Sequence, residues 1–78
     1  MKDHTICYIA QLIRKDWKKP YFGAIPYLDA MFATNSITDL YGQDSAKSII
    51  RYFLANASSW RGPVAKEIKA ELNRRLSL

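Results

Sequence analysis

With Cys7 as the only cysteine in a chain of 78 residues, no internal disulfide can form. His4 is the only histidine, so the spaced Cys and His ligands of a structural zinc site are absent as well. Domains of this size bury only about 60% of their unfolded surface, and many rely on one of those two staples. Glycine and proline are scarce, at three each, and no repeat, linker or low-complexity run divides the chain. Long apolar runs are missing too. A charge-free stretch such as Tyr52 to Trp60 covers nine residues, whereas a membrane-spanning helix needs about twenty. The apolar stretch Ile6 to Ile13 is interrupted by Gln11 and closed by Arg14, too polar for a secretory signal core. These absences lead to the expectation of a single cytoplasmic domain with no cofactor and no membrane role.

Aromatic side chains are abundant instead. There are ten in all, enough to stabilise a small core by dense packing or to support association. Net charge is +5 and unevenly spread: residues 1–19 carry +3, residues 20–46 carry −3 through Asp29, Asp39 and Asp44, and residues 47–78 carry +5. That balance admits nucleic acid or acidic proteins as partners.

Apolar spacing predicts four helices. Residues 4–18 place Ile6, Ile9, Ala10, Ile13 and Trp17 on one face. Asp3 is the expected N-cap, and Pro20 the stop. Tyr8 and Leu12 form a second stripe off that face and are the candidate contact for a homo-oligomer. After a Tyr21–Gly23 loop, Pro26 opens a second helix to about Ala33, with Leu28, Met31 and Phe32 inward. Ser36 and Asp39 have the spacing of a capping box, which predicts a short helical turn over Ile37–Tyr41 ended by Gly42.

The third helix is expected over residues 45–59, capped by Asp44, with Ala46, Ile49, Ile50, Phe53, Leu54, Ala57 and Trp60 on one arc. Gly62-Pro63 opens the fourth, over residues 63–76, with Val64, Ala65, Ile68, Leu72 and Leu76 buried and a Glu71–Arg75 pair one turn apart. The remaining charged residues of this helix, Lys69 among them, are expected to face solvent. The fold class is therefore all-α: a compact orthogonal bundle of four helices with an extra short helical turn between helices 2 and 3.

No catalytic constellation emerges. His4 and Cys7 share one turn of helix but lack a third group to orient the imidazole. Gly42 to Ser48 ends like a phosphate loop, but Ala46 replaces its second glycine and Asp44 would repel phosphate. Glu67 and Glu71 fall on a helix face read as solvated, where nothing would raise a carboxyl pKa.

The informative surface is the outer face of helix 3. Lys47, Ser48, Arg51 and Tyr52 leave it less charged than a solvated face should be. Together with the basic end of helix 1 (Arg14, Lys15, Lys18, Lys19) this is the candidate partner-binding surface. Residues 36–54 also have the layout of a helix-turn-helix DNA reader, with Ser45, Lys47, Ser48 and Arg51 toward the groove, although Gln43 and Asp44 depart from its pattern.

Several stretches carry a resemblance: Tyr21-Phe22-Gly23-Ala24-Ile25-Pro26-Tyr27-Leu28-Asp29-Ala30-Met31, Tyr41-Gly42 with Asp44-Ser45-Ala46-Lys47-Ser48-Ile49, Tyr52-Phe53-Leu54, Trp60-Arg61-Gly62, and Glu71-Leu72. Across residues 9–76 they resemble small uncharacterised helical proteins encoded by tailed bacteriophages and prophages. The resemblance implies a context, not a residue role. Short phage proteins of this size often bind and redirect a host factor, so it implies a protein partner in the host cytoplasm. The expected function is thus a non-catalytic protein-interaction module, with small DNA-binding protein as the alternative.

Overall fold

A helix starts where a side chain can satisfy its first free N–H groups. Near the N-terminus that side chain is Thr5. The computed structural model describes residues 3–78, so Lys2, counted in the charge of the first segment, lies outside the described residues. In helix α1 (Ile6–Asp16) the Thr5 hydroxyl accepts the Tyr8 N–H at 3.0 Å. The cap expected at Asp3 is corrected to Thr5, and the helix begins two residues later than expected. The Ile6 N–H bonds the Asn35 carbonyl at 2.9 Å, tying this start to the segment after helix α2. Ile6, Ile9, Ala10 and Ile13 are fully buried along one face. Trp17 ends the helix in extended geometry, ahead of Pro20.

Where a loop was expected over Tyr21–Gly23, residues Phe22–Ala24 form a 3-10 turn leading into α2 (Ile25–Phe32). Gly23 leaves room there, since a Cβ would lie 2.6 Å from the Tyr21 ring and 2.9 Å from the Asn56 side-chain oxygen and would push those side chains aside. Leu28, Met31 and Ala30 are buried, while Phe32 is only partly so.

The segment after α2 departs most from expectation. The Asp39 carboxylate accepts the N–H groups of Ser36 and Asn35, at 3.0 and 2.9 Å, and these bonds hold its pKa below the ordinary carboxylate value. This is one half of a capping box, yet no helix follows it. The extra helical turn over Ile37–Tyr41 is replaced by a two-stranded antiparallel hairpin, β1 (Leu40–Tyr41) and β2 (Asp44–Ser45), so the fold is mostly helical and not strictly all-α. Gly42 has φ +61° at the first central position of the two-residue turn, which suits a type II′ hairpin.

Helix α3 (Ala46–Ala55) starts from Ser45, whose hydroxyl accepts the Ser48 N–H at 3.1 Å. Asp44, the expected cap, lies one residue too early, in the hairpin. The helix also ends earlier than expected, at Asn56, whose side-chain amide donates to the Tyr52 carbonyl. Ala57 and Trp60 nevertheless remain buried beyond its end.

Helix α4 (Pro63–Leu76) has the expected bounds. Ala65, Ile68 and Leu72 are buried, but Val64, expected inside, is 40% exposed. Helix α2 packs between α1 and α3, and α4 closes the other side against both. The four helices thus surround one core within 29 × 25 × 18 Å.

Glu71 is not solvated, contrary to expectation. Its carboxylate is clamped by Arg74 at 2.8 Å and by the buried Arg75 at 2.6 Å. Those hydrogen bonds, from Arg74 first and then Arg75, lower its pKa to about 2. A depressed carboxylate pKa stabilises the fold above the unfolded value, and the contribution is lost as pH falls through the folded value. The Glu71 share of stability should therefore be complete above about pH 5 and fade toward pH 2. Urea unfolding at pH 6 and pH 2.5 checks this: Glu71→Gln should lose less stability between the two than the parent, and an equal loss contradicts the assignment.

Candidate partner-binding groove

The helix 3 candidates do not form one free face. The Lys47 ammonium donates to the Leu78 carbonyl at 2.8 Å, and Ser48 is engaged in the cap through both its N–H and its hydroxyl. Arg51 is exposed. Tyr52 is 54% exposed and turns toward α2, where its ring meets Tyr27 with centroids 5.4 Å apart and planes at 32°.

The basic end of α1 is also divided. Arg14 pairs with Asp29 of α2 at 3.4 Å across exposed surface, a contact of small energetic weight. Lys15 and Lys18 line a groove of about 570 Å³ between α1 and α4, together with His4, Tyr8, Leu12, Val64, Glu67 and Ile68. Lys19 is exposed outside it. Tyr8, expected as an outlying stripe, is 43% exposed, and Leu12 packs partly against the core. The structure thus joins the oligomer candidates to Lys15 and Lys18 and separates them from Tyr52.

Tyr52 belongs to a second concavity, of about 590 Å³, lined by Pro26, Tyr27 and Ala30 of α2, Tyr41 and Asp44 of the hairpin, and Ile49 and Tyr52 of α3. Ile49 and Ala30 are buried and form its floor. Tyr41 and Asp44 are direct cross-strand partners, which puts their side chains on the same face of the hairpin. Among the described residues no lysine or arginine lines this groove. Among the described residues the Asp44 carboxylate has no ion-pair partner.

Tyr27, Tyr41 and Asp44 were absent from the sequence candidates because they converge only through the hairpin and the packing of α2 on α3. The available signal was Tyr41-Gly42, a glycine at the first central position of a two-residue turn.

The other motifs resolve locally. His4 precedes α1 and packs edge-on against Tyr8, while the Cys7 sulfur faces Gln11 at 3.8 Å. Among the described residues no three His, Cys, Asp or Glu side chains cluster as a metal site. No helix of the described residues is long and apolar enough to cross a membrane. The helix-turn-helix layout expected over residues 36–54 lacks its first helix, the hairpin standing in its place.

No family model matches the chain, and neither a curated protein nor a solved structure shows significant similarity to it.

Proposed function

We propose that this chain is a non-catalytic interaction module that binds a protein partner through the tyrosine-lined groove between α2, the hairpin and α3. One observation carries the reading. Tyr27, Tyr41 and Tyr52 come from three different elements to one concavity, and two of them keep about half their surface in solvent. A domain this small gains stability from every aromatic it can bury. Half-exposed tyrosines gathered at a buried apolar floor are among the side chains that dominate protein interfaces. The phage resemblance of residues 9–76 supports a phage-type accessory protein acting on a host or phage protein.

Arg51→Glu combined with Tyr52→Ala tests the reading by affinity capture from host lysate with nuclease treatment. Loss of the Tyr27–Tyr52 contact should cost only about 0.5–1.5 kcal/mol beyond the buried area, so the variant stays folded. The expected result is a protein captured by the parent, insensitive to nuclease and lost in the double variant; normal capture by the variant removes this groove.

The second reading, a small DNA-binding protein, draws on the +5 net charge and the exposed Arg51 and Lys19. It requires duplex binding that falls steeply with salt as counterions are released. A gel-shift titration at two salt concentrations separates it from the first, and no shift at low salt excludes it.

A further inference from the structure

We propose that the tyrosine groove receives an arginine side chain of the partner protein, its guanidinium edge held by Asp44 and its faces by Tyr41 and the Tyr27–Tyr52 pair. This deepens the reading of the groove as the partner site and rests on it.

The charges around the groove single out Asp44. Residues 20–46 contain three charged side chains, all acidic. Asp29 is engaged with Arg14, and Asp39 is occupied by the N–H groups of Asn35 and Ser36. Asp44 is exposed and has no ion-pair partner among the described residues. The hairpin register sets this carboxylate beside the Tyr41 ring, and the two-residue turn at Gly42 fixes that pairing. Across the groove, the Tyr27 and Tyr52 rings meet as a tilted pair, with centroids 5.4 Å apart and planes at 32°.

Aromatic faces carry negative potential and attract cations, most strongly when the site is partly desolvated. An ionised carboxylate is an acceptor only, and it can take two parallel N–H bonds from a guanidinium. Arginine fits this set better than lysine, because its planar head stacks on rings while its edge donates in a fork. The net charge of +5 disfavours a polybasic tract. Recognition is therefore local, of one arginine in an otherwise neutral or acidic surface.

The test is an amide NMR titration of the isotope-labelled full chain with the capped tripeptide Gly-Arg-Gly and with its neutral isostere, Gly-citrulline-Gly. The arginine peptide should give saturable shifts concentrated at residues 40–45 and at Tyr27 and Tyr52. Citrulline should bind at least about tenfold more weakly, as expected when a charge-assisted contact worth one decade is removed. Asp44→Asn should weaken the arginine peptide by a similar factor, with the same spectrum reporting that the fold is intact. Equal binding of the two peptides, no effect of Asp44→Asn, or no saturable shift overturns the assignment. Should the assignment fail while partner capture still depends on Tyr52, the groove stands without its arginine; loss of both results removes the groove itself.

Discussion

Trp60→Ala should destabilise the fold by about 3–5 kcal/mol, the range for removing a large aromatic from a core. A domain of this size has about one such loss to spare, since small proteins hold about 0.05–0.15 kcal/mol per residue. Trp60 is 2% exposed although it lies past the end of α3. Its position is therefore held by tertiary contacts and not by helix geometry. The indole stacks on Trp17 with centroids 5.8 Å apart and planes at 14°, and it meets Phe53 edge-on at 6.3 Å. Trp17 in turn meets Phe53 at 6.2 Å, so three rings from α1, α3 and the following loop close one triangle. The indole N–H donates to the Asp16 carboxylate at 2.8 Å, which fixes the loop to the end of α1. Alanine removes the packing, the stacking and this bond together. Trp60→Phe keeps one ring but loses the donor and part of the indole's packing and stacking, so its cost should be smaller than that of alanine. Equilibrium urea unfolding of both variants measures the difference, and a loss below about 1 kcal/mol for Trp60→Ala would mean that the triangle does not hold the core.

The same cluster shows how far local sequence signals reach. Gly62-Pro63 marks the start of α4 without a competitor, and its bounds are as expected. At α1 and α3 two cap candidates stand close together, Asp3 against Thr5 and Asp44 against Ser45. In both cases the hydroxyl nearer the helix is the cap, because it reaches the N–H three residues on. The choice depends on where the chain enters the fold, as the bond from Ile6 to Asn35 illustrates, and periodicity does not contain that information.

The hairpin was hidden for a different reason. Strands of two residues are too short to show alternation, and Ser36 with Asp39 forms a real hydrogen-bonded turn that a helix could have followed. Tyr52 was named from the sequence because its helix face is short of charge. Tyr27, Tyr41 and Asp44 were not, since their grouping is a product of the hairpin and of α2 packing on α3. Tyr8 and Leu12 were named on a different ground, that the α1 core stripe is complete without them; Tyr8 is 43% exposed and Leu12 packs partly against the core.

Lys69→Met should be the next most damaging change, at about 1.5–3 kcal/mol, the worth of hydrogen bonds to a charged group. The sequence places Lys69 among the solvated residues of α4, but its ammonium donates to the carbonyls of Ala57 at 2.7 Å and Trp60 at 2.6 Å. It also lies 5.8 Å from the centre of the Trp60 ring. Burial first, and the nearby Arg61 charge second, push its pKa below the ordinary lysine value. The energetic logic is that of a helix end. Past Ala55 the helix supplies no further donors; the Ala57 carbonyl takes the Trp60 N–H at 3.0 Å and has room for a second donor, and the Trp60 carbonyl needs one. Lys69 supplies those donors from the next helix and clips the α3–α4 loop down over the ring triangle. Methionine keeps most of the apolar stem of the side chain and removes the ammonium with its donors and charge, so the urea midpoint should fall with little change in slope. Because one of its two acceptors is the Trp60 carbonyl and its charge faces the Trp60 ring, the two sites are coupled. Combined with Trp60→Ala, the loss should be smaller than the sum of the single losses, since the second change removes a contact the first has already loosened. Strict additivity would show that the clip acts on the backbone alone and owes nothing to the indole beneath it.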